Sequence, residues 1–343
     1  MEKYKPDYNR KNTRAAVARA IGYATANLST EKPRRWSSRH MDKWFGHMHK
    51  PLGKFLRQTL TVCVDNHYDM MAKKCKSYTL NARGVAHLSN AIGVVVASIP
   101  SANDLNEIAL DWAKQTYGDT IASGDFEYAE KSGRLWNDIG NLKNAIRKPL
   151  FANYGYVNEY DISCAAPNIL SQYARQCGMT RPINTIDEYI AHKEEYRNSL
   201  ADELGVDYST AKRLINAKFN GARLGARNSI IDILDNNWDA HDKLKHMTWW
   251  MLLHKDIKKI WDTIKAEQCV RTLDARTRWQ IYFEQELKVM KSVHKYLDKC
   301  NIKYFHEHDG WRCNSAVDLH QLKLHVTKST GYTIYFDYEV FDV

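Results

Sequence analysis

Tyr304-Phe305-His306-Glu307-His308-Asp309-Gly310-Trp311-Arg312, inside the run 302–312, carries a strand into a chain reversal. A short β-rich segment leads into Asp-Gly, and Asp-Gly between apolar or aromatic flanks is the strongest short hairpin signal a sequence carries. Asp309 is therefore expected at the tip of a strand, held by the sheet while facing open space, which suits a metal ligand that must meet a phosphate. Asp-Gly turns are common, and taken alone this one says only that the chain reverses. A second aspartate in a similar setting changes its meaning. In 154–170, reading Y-G-Y-V-N-E-Y-D-I-S-C-A-A-P-N-I-L, Tyr156, Val157 and Tyr160 favour a strand that stops at Asp161. Pro167 fits the first turn of a helix whose apolar face is Ile169, Leu170, Tyr173 and Ala174. Asp161 precedes Pro167 by six residues, too early to cap that helix.

Two further stretches carry chemical content. In Glu130-Lys131-Ser132-Gly133-Arg134, glycine next to arginine lets the backbone approach a ligand while the guanidinium reaches a phosphate or a sugar hydroxyl. On its own the pair is a turn with a surface charge. Over 207–221, a helix would put Tyr208, Lys212, Asn216 and Asn220 on one face at successive i+4 positions, with Leu214, Ile215 and Phe219 elsewhere. That face suits a nucleotide, Lys for phosphate and Asn for base or sugar, but as a solvated helix face it would also be ordinary.

Composition bounds the rest. The 343 residues allow a sizeable core in two or three lobes, and 44% hydrophobic with 26% charged residues is ordinary for a soluble globular chain. A net charge of +10 with 10 Trp and 20 Tyr suggests a polyanionic partner, since clustered Lys and Arg gain by counterion release and aromatic rings offer stacking faces. Seven cysteines with no C-x-x-C pair indicate neither a zinc ribbon nor a disulfide framework, and reduced thiols are expected. A zinc set from Cys300, His306, His308 and Cys313 has no standard spacing. The longest apolar run, 91–100, is too short to cross a bilayer and no signal peptide opens the chain, so a cytoplasmic protein without membrane attachment is expected.

Along the chain, residues 1–55 are strongly basic, read either as a solvated tail with a surface helix over 13–27 or as an arm lying on nucleic acid. A core helix is expected over 51–74, a break at 78–84, an apolar helix over 85–99, and another over 105–117 capped by 101–104. Thr185 with Glu188 predicts a capping box opening a helix that runs to Gly205. Residues 222–300 are expected to be helix-rich, with Arg223, Arg227, Arg271, Arg276 and Arg278 read either as the wall of a nucleic-acid channel or simply as exposed arginines. An amphipathic helix over 316–329 and a final alternating strand over 332–340 close the chain.

In their order, these stretches resemble the palm and fingers of the single-subunit RNA polymerases of phages and mitochondria, cousins of the family A DNA polymerases. Glu130-x-x-Gly133-Arg134 resembles the T/D-x-x-G-R element, with Glu in first place. Asp161-Ile162-Ser163-Cys164 resembles motif A, whose D-x-S-C form belongs to the RNA-making branch. Lys212-Arg213 with Asn220-Gly221 resembles motif B, and His308-Asp309-Gly310 resembles motif C. The resemblance covers 130–343 and departs at Asn220, where the family has a tyrosine that checks the sugar. The chain is also far shorter than the family norm.

The resemblance implies an α+β, helix-rich right-hand polymerase: a palm with a small antiparallel sheet, and helical fingers and thumb. By position it implies a basic helical or thumb-like region over 1–125, palm over 126–180 and 276–343, and fingers over 181–275. It implies a DNA-directed RNA polymerase of phage type in the host cytoplasm, using nucleoside triphosphates and two Mg²⁺ ions. Asp161, Asp309 and the Ile162 carbonyl would hold the metals. Lys212 would be catalytic at the triphosphate, with Arg213 assisting. Tyr208, Asn216, Asn220 and Gly221 would line the nucleotide pocket, Gly133 and Arg134 would hold the template or hybrid, and His308 would orient Asp309. A DNA template is expected, with a second polymerase subunit or single-strand-binding helper as partner. A primase or DNA polymerase on the same palm, and a nucleic-acid-binding subunit with an inactive palm, are the competing readings.

Overall fold

The computed structural model describes residues 6–8, 11–28, 30–31, 34–35, 50–65, 77–96, 100–131, 133–222, 224, 229–269 and 273–341. Among the expectations above, Arg223, Arg227, Arg271 and most of the basic residues in 32–49 lie outside them. The chain forms two compact units. One holds Met1–Glu127, Asn137–Val157 and Phe341–Val343, and the other holds Tyr128–Trp136 and Asn158–Val340.

In the first unit, Lys11–Asn27 packs along Ala102–Ser123. The expected surface helix is in fact half core: Val17, Ala20, Ile21 and Ala24 are buried while Arg14 and Arg19 stay exposed. Small residues make this possible, because a Cβ on Gly22 would fall 2.0 Å from Cγ of Trp112. The helix expected over 51–74 runs as Lys50–Leu60 and stops where a run rich in β-branched residues, Thr61, Val62 and Val64, turns extended. That strand, Thr61–Asp65, pairs with Ser77–Leu80, which also pairs with Arg34–Arg35. The expected break at 78–84 is thus part strand and part cap: the Asn81 side chain accepts from Gly84 N–H at the start of Ala82–Ala91. Ser101 and Asp104 form a capping box for Ala102–Ser123, as the cap at 101–104 predicts.

The second unit is helix-rich α+β. Its sheet runs Tyr304–Glu307, Gly310–Cys313, Asn158–Ile162, Phe336–Val340 in spatial order, antiparallel throughout. Side chains alternate across it. On one face Tyr160 stacks between Trp311 (centroids 5.0 Å) and Tyr338 (4.6 Å), and Trp311 meets Phe336 edge-on at 5.4 Å. These rings join a core with Leu170, Tyr189, Leu214, Phe219, Trp250, Trp261 and Val289. The other face carries Glu159, Asp161, Glu307 and Arg312.

The helices around the sheet are Ala165–Gln176, Asn184–Ala191, Lys193–Leu204, Tyr208–Phe219, Trp238–His246, Thr248–Glu267, Ala275–Lys299 and Leu319–Thr330. Two expectations need correction here. The helix read as continuous to Gly205 breaks at His192. The Thr185–Glu188 capping box does not form. Buried Asp256, reaching in from Thr248–Glu267, accepts from the Thr185 N–H at 3.0 Å, while Glu188 accepts from Tyr196 OH. A tertiary carboxylate has replaced the local cap. Gly205 and Gly331 end their helices in the left-handed conformation, as their positions predict.

Candidate functional site

The Asp161 strand and the Asp309 hairpin are neighbours. Asp161 lies opposite Gly310 in the register, and the Ile162 N–H donates to the Asp309 carbonyl at 2.8 Å. The turn sits one residue earlier than Asp-Gly predicts. Glu307 pairs with Gly310, so His308 and Asp309 form the loop and His308 takes the positive φ of 52°. Gly310 serves another purpose: a Cβ there would lie 2.0 Å from Asp161 Oδ1 and 2.5 Å from the Tyr160 carbonyl. The glycine makes room for the other aspartate's carboxylate.

The charge of Asp309 acts on Asp161. Burial by the surrounding protein pushes Asp161 up to about 7, helped by the charges of Asp309, Glu159 and Glu307 and opposed by Lys212. Burial likewise lifts Asp309 to about 6, helped by Glu286 and opposed by Arg134 and Lys212. Asp309 is half-buried rather than facing open space. Lys212, exposed on Tyr208–Phe219, acts on both aspartates. The sheet thus brings two residues distant in sequence side by side, and the Lys212 charge lies close enough to oppose the rise at both.

The other residues singled out above fall around this centre in different ways. Arg213 is exposed, and Asn216 and Asn220 are half-buried on the Lys212 helix, whose opposite side buries Leu214, Ile215 and Phe219. Gly221 follows with φ +87°, and Arg278 Nη1 would lie 3.1 Å from a Cβ placed there. Tyr208 opens that helix and turns its hydroxyl to Glu194 (2.6 Å) and Arg197 (2.9 Å), so it braces the helix instead of facing a pocket. Ile162 is buried with its backbone in the sheet. Gly133 adopts φ +78° in a hairpin of Ala129–Lys131 with Arg134–Trp136. Arg134 is engaged in a bidentate pair with Glu286 at 2.7 and 2.6 Å and lies 3.8 Å over the Phe283 ring. His308 packs edge-on to Trp136 at 4.7 Å.

The zinc set does not assemble. Cys300 is exposed, Cys313 bonds the Ser315 carbonyl, and His306 Nδ1 meets His294 Nε2 at 3.2 Å instead. Among the described residues no group of three or more His, Cys, Asp or Glu side chains is placed to hold a metal. Two carboxylates suffice for Mg²⁺ where phosphates and water complete its octahedron. The donor set of Asp161 and Asp309 fits that ion, since burial, with the charge of Asp309 acting on Asp161 and that of Glu286 on Asp309, disfavours both carboxylates without a cation.

Sequence reading missed three members of this neighbourhood. Glu286 is buried, and the signal for it is a carboxylate on the apolar face of a helix, among Tyr282, Leu287, Val289 and Met290. Arg312, wholly buried, holds Glu307 at 2.5 Å and Glu159 at 2.9 Å. Arg197, also buried, joins Tyr189 OH, Tyr208 OH and Cys164.

No protein-family model and no curated protein matches the chain. Among solved structures it is similar to the POL domain of Pol1 from M. smegmatis in complex with DNA primer-template and dNTP, with TM-score 0.40 and 9% identity over 96% of this chain. The chain spans 65% of that structure's length. A likeness of that size carries nothing further. Among the described residues no helix is long and apolar enough to cross a membrane.

Proposed function

We propose that this chain is a template-directed nucleotidyl transferase that makes RNA on a DNA template, with Asp161 and Asp309 as ligands of two Mg²⁺ ions. The observation that carries the reading is the side-by-side placement of those aspartates, with Lys212 acting on both. Bound Mg²⁺ supplies charge neutralisation at the attacking and leaving oxygens of the phosphoryl group. Asp161 and Asp309 would hold the cations, with the Ile162 carbonyl as a further oxygen donor, and sheet and turn hydrogen bonds fix the backbones that carry them. Lys212 meets the triphosphate and gives its proton to the departing pyrophosphate, with Arg213 beside it. Asn216, Asn220 and Gly221 line the base and sugar side, and Tyr208 supports that helix from its first turn. Gly133 shapes the hairpin that presents Arg134. Arg134 stands beside Asp309 as Glu286's counter-charge, so any hold on template or hybrid is shared with that pair.

The D-x-S-C form of motif A supports RNA as product. Asn220, in place of a sugar-checking tyrosine, favours the second reading, a primase or DNA polymerase. Primer extension on single-stranded DNA and RNA templates, with ribonucleotides and with deoxyribonucleotides, tests both. Mg²⁺-dependent extension by the chain, lost in Asp161→Asn, is the expected result, and the nucleotide set used decides between the readings. Template binding without extension would overturn both in favour of a non-catalytic subunit.

A further inference from the structure

Lys288, Lys291, Lys295 and Lys299 follow one another along Ala275–Lys299 at spacings of three, four and four residues, and all are exposed. At 1.5 Å rise per residue they form one stripe about 16 Å long. The same helix turns Glu286 the other way, toward Arg134 and Asp309. At about 100° per residue, Lys291, Lys295 and Lys299 lie roughly opposite Glu286, so the stripe faces away from the reaction site.

A second helix widens the stripe. Leu319–Thr330 lies antiparallel to the first, tied by Ser292 Oγ to Ser329 Oγ at 2.5 Å and by the Tyr296 and His325 rings at 5.6 Å. It adds exposed Lys328 and, nearer the sheet, Lys323, whose ammonium rests 3.7 Å over the Tyr335 ring. Lys288 rests 5.0 Å over Tyr332. Lys291, Lys295, Lys299 and Lys328 form no ion pair among the described residues. Nearby acids are occupied: Glu284 accepts from Gln280, Asp298 acts on Tyr304, and Asp318 caps Leu319–Thr330. Like charges at i,i+4 repel across one turn of a helix. The stripe therefore weakens its own helix unless a polyanion covers it.

We propose that this lysine stripe is a track for the phosphate backbone of a nucleic-acid strand outside the reaction site. Charge complementarity selects the occupant, because duplex DNA carries two phosphates per ~3.4 Å and flexible ammonium groups match a backbone without regard to sequence. The proposal rests on the nucleotidyl-transfer reading only in taking the strand to be template or product.

The test measures binding of the full chain to labelled single-stranded and duplex oligonucleotides by fluorescence anisotropy, without nucleotide or Mg²⁺, from about 50 to 200 mM salt. Replacing Lys291, Lys295, Lys299 and Lys328 by Glu is expected to weaken binding at least tenfold at low salt. The slope of log K against log salt should flatten by about 3 to 4 for duplex. The milder K291Q/K295Q/K299Q variant, with melting temperature checked, should show the same change in smaller measure. A Kd within twofold of wild type with an unchanged slope overturns the proposal. So does loss of binding to phosphatidylserine vesicles with nucleic-acid binding intact. Asp161→Asn should keep full affinity while losing extension, so failure of the track and failure of the polymerase reading give different results.

Discussion

The two faces of the four-stranded sheet differ in what holds them. One is a stack of rings, Tyr160 between Trp311 and Tyr338, closed by the Tyr160 hydroxyl accepting from Val317 N–H at 2.9 Å. The other is a row of carboxylates around one buried guanidinium, with Asp161 and Asp309 at its end. The first gains from every contact it makes. The second sets like charges together in partial burial, which is unfavourable until a cation arrives. The strands alternate between the faces residue by residue, so stability and chemistry are built on the same few strands.

Substitutions can break or sharpen this contrast. The largest effect is expected from Trp311→Ala on the aromatic face: a loss of about 3–5 kcal/mol in urea unfolding, with any remaining folded protein still active. An unchanged midpoint would mean that the stack is not structural. On the charged face, Arg312→Met leaves Glu159 and Glu307 without their shared partner and should also cost about 3–5 kcal/mol. Recovery of most of that loss in the E159Q/E307Q/R312M triple variant would show that the guanidinium is there for those carboxylates.

Asp309→Asn should behave oppositely to Trp311→Ala. Extension is expected to fall 10²-fold or more, while the melting temperature holds or rises, because a charge that burial and Glu286 disfavour is gone. Activity above about a hundredth of wild type would remove Asp309 from the metal site. A smaller effect is expected at His294 and at His306 of the sheet's edge strand, where burial pushes them down to about 4 and about 3. They fold neutral and the unfolded chain takes up their protons, so their contribution is complete above the ordinary histidine value of about 6.5 and is lost as pH falls toward 4 and 3. For His294 this loss is about 2 kcal/mol by pH 5. His294→Phe, stacking on Tyr304 as the imidazole does, should show a smaller drop in melting temperature between pH 7.5 and 5 than wild type. Asp161 and Asp309 titrate alike in both proteins, so the difference reports on the His294–His306 pair. Equal drops would refute it.

Local signals carried a good share of this. Strand-favouring aromatic and branched residues and an Asp-Gly turn located both aspartate strands, and i+4 spacing on 208–220 put Lys212 and the two asparagines on one face, away from Leu214 and Phe219. Their limit is visible in the details. The turn fell at His308-Asp309 because Gly310 was needed for clearance against Asp161, a demand made by a distant strand. The capping box at Thr185 failed because Asp256 reached the same N–H first.

What the amino-acid order determined by itself is the set of local conformations and which residues each element exposes, since periodicity, caps and turns act within a few positions along the chain. What only the tertiary structure decided is pairing: Asp161 with Gly310, Arg134 with Glu286, and Arg312 between Glu159 and Glu307. Those contacts join residues far apart in the chain, and their strength comes from a buried, low-dielectric setting that exists only once the sheet and helices have closed around them.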